Sequence, residues 1–217
     1  MTKNKLFFIS DVHIGTNVPT NWYQDAIHGP FLETALEYIV AQKESVRELV
    51  FLGDLFDQWM DPPEALPPNF QAIIKANPRI FGGVFDGKQV PGALMEVLDA
   101  LEGNVAYMNG NHDMYITPND IATLKSPGGY TPRVINSTFY EPEECNGRLL
   151  CTHGHPYSMC SAPDQESYPK GFPGLPLGYF LTRLSTLWSK QHFTSDQSNI
   201  ARMEDSGNPH GLNFIDE

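Results

Sequence analysis

The stretch 104-NVAYMNGNHD-113 places a cluster of polar side chains directly after an apolar run. The run 104–109 is typical of a short buried strand. Asn111, His112 and Asp113 then follow Gly110 at what we expect to be the end of that strand. Amide, imidazole and carboxylate groups are all able to bind a metal ion. Such residues at the tip of a buried strand indicate a binding or catalytic site if other strands end in the same way.

Polar side chains also lie at the ends of three further apolar runs that we expect to be strands: Asp11 and His13 follow 5–10, Asp54 follows 48–53, and His153 ends 148–153. In open α/β sheets, ligands bind in the crevice outside the carboxyl ends of the strands. We therefore expect all four clusters to converge in one crevice.

Apolar residues with helical spacing lie between and after these strands, and they predict helices at 31–43, 94–101 and 178–190. We also expect a further strand at 133–140. The segment 58–80 contains Pro62, Pro63, Pro67 and Pro68 and is predicted to be a long surface excursion without regular structure. The last stretch, 194–217, is mostly polar and predicts no element. Alternating strands and helices favour a layered α/β arrangement, which we expect to form a single domain over residues 1–217.

Charge and composition argue against several classes of function. The formal net charge of -12 argues against broad electrostatic binding to nucleic acid, and therefore against a nuclease. No stretch reaches transmembrane length, and the N-terminus lacks the features of a signal peptide. Three cysteines without CxxC spacing are typical of reduced thiols, so we expect a cytoplasmic protein. Peripheral membrane contact and the oligomeric state stay open.

The candidate ligands form a mixed oxygen and nitrogen set, which suits Mn, Fe, Zn or Ni better than Ca. Asp54 stands alone at the tip of the central strand, so its carboxylate is placed to bridge two cations. Each residue alone also has an ordinary structural explanation. Asp54 is compatible with a helix cap, Asn111 with a left-handed turn, and His153 with a buried, hydrogen-bonded histidine. Only the four clusters together favour a metal site.

The order and spacing of these residues resemble the calcineurin-like metallophosphoesterases, whose motifs are DxH, GDxxD, GNH(D/E), H and GHxH. The matching residues here are Asp11 and His13, Asp54 and Asp57, Asn111 with His112 and Asp113, and then His153. The resemblance implies a β-sandwich of two mixed sheets flanked by helices.

The resemblance also implies a role for each matching residue. Asp11 and His13 would hold a first metal, Asn111 and His153 a second, and Asp54 would bridge the two. His112 would be the catalytic or phosphate-binding histidine, with Asp113 holding its imidazole and Asp57 supporting the site from outside the ligand set.

One motif of that family has no counterpart in this sequence. At the position 153-HGHPY-157, Tyr157 stands where the second histidine of GHxH would be. Either this segment is a degenerate last motif, or His153 is the penultimate motif of a chain that ends before the last one. The short gap between His112 and His153 favours the second interpretation, and with it a domain that lacks its C-terminal GHxH. His155 is then an accessory group that we expect near the substrate.

The resemblance implies a dinuclear metal-dependent hydrolase in which a hydroxide held between two metals attacks phosphorus in line. Its substrate would be a phosphomonoester, phosphodiester or pyrophosphate. The segments 10-SDVHIGT-16 and 53-GDLFDQW-59 are most similar to the branch of UDP-2,3-diacylglucosamine hydrolases, which implies a nucleotide-sugar lipid. Trp22, Tyr23 and Trp59 are either a substrate wall or ordinary packing. A non-catalytic scaffold of the same fold is the alternative function.

Overall fold

The computed structural model describes residues 3–145, 147–164 and 174–192. Its strands, in chain order, are β1 (Lys5–Ile9), β2 (Val46–Leu52), β3 (Gly83–Phe85), β4 (Lys88–Val90), β5 (Val105–Met108) and β6 (Arg133–Ile135). Its helices are α1 (Asp25–Ala41), α2 (Phe70–Ala76), α3 (Pro78–Phe81), α4 (Ala93–Ala100), α5 (Pro118–Ile121) and α6 (Leu177–His192), with short 3-10 turns at Glu143–Cys145 and His155–Tyr157.

A parallel sheet with the strand order β1-β2-β5-β6 forms the centre of the molecule. The strands β3 and β4 pair separately as an antiparallel hairpin. The predicted α/β class is confirmed, with one parallel sheet and one separate antiparallel sheet flanked by helices. The antiparallel sheet is small, and neither sheet mixes strand directions within the described residues. Parallel strands end at the same edge, so the segments after β1, β2 and β5 meet there.

The two faces of β2 pack into two different apolar cores. Leu49 and Phe51 belong to the larger one, together with buried residues of α1 and α4. Val50, between them, belongs to a smaller core on the opposite face. Alternate side chains of a strand point to opposite faces, so the part of a central strand that is covered on both sides is apolar, as residues 49–51 of β2 are. This burial fixes β2, and with it the backbone that carries Asp54.

The predicted surface excursion without regular structure at 58–80 is wrong from Phe70 onward. Helices α2 and α3 lie within it, and Phe70, Ile73 and Ile80 belong to the larger core. The side chain of Asn69 caps α2 by accepting the Ala72 N–H, and a proline begins α3, where its missing N–H is not needed. The prolines here begin and separate short helices and do not abolish regular structure.

Two predicted strands differ in the structure. The strand predicted at 133–140 is limited to β6, the three residues Arg133–Ile135. The segment 148–153 forms no strand, and only an isolated antiparallel bridge joins Cys151 to Tyr140. The helix predicted at 31–43 begins earlier, at Asp25, while the helices predicted at 94–101 and 178–190 are confirmed as α4 and α6.

The stretch 194–217, for which the sequence predicted no element, lies outside the described residues. Within the part of the chain that is described, no helix is both long and apolar enough to cross a membrane.

Candidate active site

The segments that follow β1, β2 and β5 are joined by backbone hydrogen bonds. The N–H of Asp11 donates to the carbonyl of Gly53 (3.2 Å), and the N–H of His13 donates to the carbonyl of Asp54 (2.9 Å). The N–H of Gln58 donates to the carbonyl of His112 (3.1 Å). The three predicted clusters are therefore side by side, as expected for the carboxyl edge of a parallel sheet.

Three candidate ligands have left-handed backbone conformations. The φ angles of Asp11, His13 and Asp54 are 56°, 57° and 53°. For residues other than glycine this region costs free energy, of order 1–3 kcal/mol each, and such residues concentrate at functional sites. The surrounding hydrogen bonds hold these backbones where their side chains turn toward one another.

Two glycines allow the ligands to approach closely. A Cβ atom at Gly53 would lie 2.4 Å from Cγ of His153, and one at Gly110 would lie 2.2 Å from Oδ1 of Asp54. Neither position has space for a side chain. Gly53 also has a φ of +86°, a conformation that side chains rarely adopt.

Asp54 lies at the centre of the cluster and is almost fully buried. Its Oδ1 accepts a hydrogen bond from the backbone N–H of His112 (2.8 Å). Its Oδ2 is 3.3 Å from Nε2 of His153 and 3.8 Å from Nε2 of His13. One carboxylate oxygen thus faces two imidazole nitrogens that come from different segments.

The hydrogen bonds of the two histidines decide which nitrogen faces Asp54. Nδ1 of His13 lies 3.2 Å from Oδ2 of Asp57, and Nδ1 of His153 lies 2.9 Å from the carbonyl oxygen of Leu52. Both oxygens only accept, so each Nδ1 carries the proton and each neutral ring presents the lone pair of Nε2. This is the tautomer in which a histidine binds metal through Nε2.

Oδ2 of Asp54 and the Nε2 atoms of His13 and His153 are thus close together, and each is able to bind a metal ion. Oδ1 of Asn111 also lies 3.2 Å from Nε2 of His153. Burial opposes a charged imidazole, but the hydrogen bond to Asp54 and the charge of Asp54 raise the pKa of His153 to about 9. Burial also opposes ionisation of Asp54, yet His153, His112 and His13 lower the pKa of its carboxyl. The pocket attracts positive charge, and a mixed oxygen and nitrogen set fits a divalent metal.

The candidate ligands form two groups, and within each group the ligand atoms all lie within 4.8 Å of one another. One group is His13, Asp54 and His112, and the other is Asp11, Asp54 and His153. Asp54 is common to both, as expected for a bridging carboxylate. The division differs from the predicted one, because Asp11 lies with His153 and His13 lies with His112. Asp11 is also the exposed member of its group.

Asp57 supports the histidines from beneath the site and is fully buried. Its Oδ2 pairs with His13, and its Oδ1 accepts from Nδ1 of His112 (3.1 Å) and from the backbone N–H of Trp59 (2.8 Å). Burial opposes its ionisation, but the charge and hydrogen bond of His112, followed by those of His13, hold the pKa of Asp57 well below its usual range. One carboxylate therefore orients two candidate site histidines.

The predicted role of Asp113 is wrong, since Asp57 and not Asp113 bonds the imidazole of His112. Asp113 accepts from the backbone N–H groups of Gly110 (2.6 Å) and Leu55 (3.0 Å). Burial and the charge of Asp54 raise the pKa of Asp113 to about 6. Because its carboxylate is directed at backbone donors, Asp113 ties the segment after β5 to the segment after β2.

The ring of His112 packs among aromatic side chains. The indole of Trp59 stacks on it at 4.2 Å between centroids and 26° between planes. The indole of Trp22 lies 5.3 Å away and is 44% exposed. Tyr23 is buried in the larger core and is not part of a substrate wall. Of the three predicted wall residues, only Trp22 is open to a ligand.

His155 lies in the 3-10 turn beside the site, with its ring centroid 5.5 Å from that of His153. Its Nδ1 is buried and has no hydrogen-bond partner among the described residues. Burial and the neighbouring His153 lower the pKa of the His155 imidazole. The ring is thus near the ligands and has an unused nitrogen, while Tyr157 points outward and is exposed.

Sequence reasoning missed two contributors to this arrangement. The carbonyl of Leu52 sets the tautomer of His153, and no sequence pattern marks a backbone acceptor. The stacking of Trp59 on His112 had a weak signal, because Trp59 follows Asp57 by two residues and Asp57 was expected to support the site.

Residues 5–201 match a family model described as calcineurin-like phosphoesterase. No curated protein matches the chain.

Proposed function

The chain belongs to the calcineurin-like phosphoesterase family, and on that premise we propose that it is a dinuclear metal-dependent hydrolase of phosphoric esters. The observation that carries this proposal is the position of Asp54. Its Oδ2 lies 3.3 Å from Nε2 of His153 and 3.8 Å from Nε2 of His13. A divalent metal bound at this point would replace the protons that the two histidines otherwise share with Asp54, and the negative charge of Asp54 favours such a cation.

Five residues would hold the metals: Asp11, His13, Asp54, Asn111 and His153. Their oxygen and nitrogen atoms suit Mn, Fe or Zn, and manganese is the first ion to test. Two such cations, when bound, supply the charge that polarises a phosphoryl group and lowers the pKa of water.

The chain's own residues would orient the reaction. His112 is held by Asp57 and Trp59 beside Asp54, where its Nε2 can stabilise charge on phosphoryl oxygens or protonate the leaving oxygen. His155, whose Nδ1 has no hydrogen-bond partner in the described part of the chain, would contact the substrate. Trp22 would form the exposed edge of the site.

The bond cleaved is a phosphomonoester, phosphodiester or pyrophosphate. The similarity of residues 10–16 and 53–59 to UDP-2,3-diacylglucosamine hydrolases makes the pyrophosphate of a nucleotide-sugar lipid the first natural substrate class to test. Exposed apolar side chains on α6, including Phe180, Leu181 and Leu184, are compatible with a lipid portion of that substrate. Hydrolysis of a UDP-sugar with acyl chains, compared with the same sugar without them, measures this preference.

The test of the function is metal content by elemental analysis, together with Mn²⁺-dependent hydrolysis of bis-p-nitrophenyl phosphate. We expect about two metals per chain and activity that is lost in Asp54→Asn. Asp86→Asn is the matched control, because Asp86 also has a left-handed backbone (φ 48°) but is exposed and distant in sequence from the motifs. Absence of both metal and turnover would contradict the enzyme and favour the scaffold.

A further inference from the structure

Trp59 combines deep burial with direct contact to the candidate catalytic ring. Its side chain is 1% exposed, and its indole stacks on His112 with centroids 4.2 Å apart. The indole N–H is buried and has no hydrogen-bond partner among the described residues. Buried tryptophans usually pair this N–H. The contact with His112 that the structure shows runs through the face of the indole ring.

One carboxylate oxygen links Trp59 to His112 a second time. Oδ1 of Asp57 accepts from the Trp59 backbone N–H at 2.8 Å and from Nδ1 of His112 at 3.1 Å. The hydrogen bond fixes one edge of the imidazole, while stacking resists tilting of its plane. Together these two contacts leave the ring little freedom to rotate.

Helix α6 closes the space behind the indole. The ring of Tyr179 meets it edge-on at 5.8 Å, and a Cβ at Gly178 would lie 3.5 Å from Cζ3 of Trp59. Arg183 of the same helix donates to the carbonyl of Pro62 (2.9 Å), in the segment that continues from Trp59. The indole is thus packed between α6 and His112.

We infer that Trp59 is a positioning residue, which with α6 behind it holds the imidazole of His112 in the orientation needed for catalysis. This inference rests on the proposed function for its effect on rate. The structural part, fixation of one side chain by another, is measurable without turnover.

The first test compares substitutions of Trp59 in Mn²⁺-dependent hydrolysis of bis-p-nitrophenyl phosphate. A misplacement of about 1 Å in a reacting group can cost roughly 10²-fold in rate. We therefore expect Trp59→Leu to lower kcat by about 10–100-fold, with KM changed by less than about twofold. Trp59→Phe should restore most of the rate, because it keeps a stacking face and loses no hydrogen bond.

Trp22 provides the matched comparison. It contacts the same imidazole at 5.3 Å but is 44% exposed. Trp22→Leu should therefore change KM more than kcat. A loss of kcat in Trp22→Leu equal to that in Trp59→Leu would overturn a specific role for Trp59.

A double-mutant cycle separates positioning from general destabilisation. If Trp59 acts through His112, then Trp59→Leu should have little effect, within about threefold, in the His112→Ala background. Equal losses in both backgrounds would refute the inference.

The second measurement needs no activity. The Nδ1 proton of His112, identified by its absence in His112→Ala, should exchange slowly with water in the purified chain and faster in Trp59→Leu. An unchanged exchange rate would contradict positioning. If the natural chain shows no hydrolysis, the proposed function fails by itself, and this exchange measurement still decides what Trp59 does.

Discussion

The candidate ligands reach the site in two different ways. Asp11, His13, Asp54 and Asn111 follow strands of the parallel sheet, and backbone hydrogen bonds join their segments to one another. His153 belongs to a segment that contacts the sheet region through the isolated Tyr140–Cys151 bridge and through its own bond to Leu52. The first group lies at the ends of paired strands. The second lies on a segment that forms no strand in the described residues and is held by that bridge, that bond and the packing of Leu149 and Cys151 in the smaller core. Disturbing the first should therefore damage the whole site, and disturbing the second only part of it.

The largest effect is expected from Gly110→Ala. The new methyl group would lie 2.2 Å from Oδ1 of Asp54 and 2.7 Å from Nε2 of His153, so it would displace the shared carboxylate. We expect loss of both metals, measured by elemental analysis, and destabilisation of roughly 1–3 kcal/mol in urea unfolding.

Gly154→Ala is the matched change in the segment that carries His153. No atom of the residues that the structure describes lies within 4 Å of a Cβ there, although the φ of +88° strains any side chain. We expect a cost of roughly 1–2 kcal/mol and retention of metal. Equal metal loss in the two variants would show that the two regions do not differ as described.

A smaller effect is expected from His153→Ala. Asp54 would keep His13 and Asp11 nearby, so metal content should fall from about two per chain to about one. His155→Ala removes the adjacent imidazole and should leave metal content at its original value. If both variants lose the same amount of metal, His155 belongs to the ligand set and the assignment of His153 alone is wrong.

The strand-end clusters could be predicted from sequence for a physical reason. The part of a parallel strand that is buried on both faces is apolar, as in 49–51 of β2 and all of β5, so the polar residues after Leu52 and Met108 mark where each strand ends. Parallel strands then bring those ends together whatever the rest of the chain does. The central position of Asp54 follows from the position of β2 in the sheet.

Other features depended on tertiary contacts that no local pattern contains. Phe70, Ile73 and Ile80 are buried although prolines surround their helices. Asp113 was expected to hold His112 because the two are adjacent in sequence, but its carboxylate finds the backbone donors of Gly110 and Leu55. Tertiary packing, and not adjacency in the sequence, determines which donors bond to a buried carboxylate.

The smallest effect is expected from Asp61→Asn, measured as a change in thermal stability. Asp61 lies on the side of the site that contacts α6. Burial raises the pKa of the Asp61 carboxyl, a hydrogen bond with Asn21 lowers it, and the negative charge of Asp57 raises it further. Because the folded state holds the proton more tightly than the unfolded chain, ionisation of Asp61 costs stability at neutral pH. Asp61→Asn should therefore raise Tm slightly at pH 7, and the gain should disappear as pH falls through the raised pKa toward the unfolded value. A gain that is constant with pH would contradict this origin.

The central claim is that Asp54 is shared by two metal ions. Electron paramagnetic resonance of the Mn²⁺-loaded chain tests it without any substrate. We expect the spectrum of a magnetically coupled Mn²⁺ pair in the natural chain and in Asp86→Asn, and its loss in Asp54→Asn. A spectrum of isolated Mn²⁺ ions at full metal loading, unchanged by Asp54→Asn, would contradict a shared carboxylate and the dinuclear site built on it.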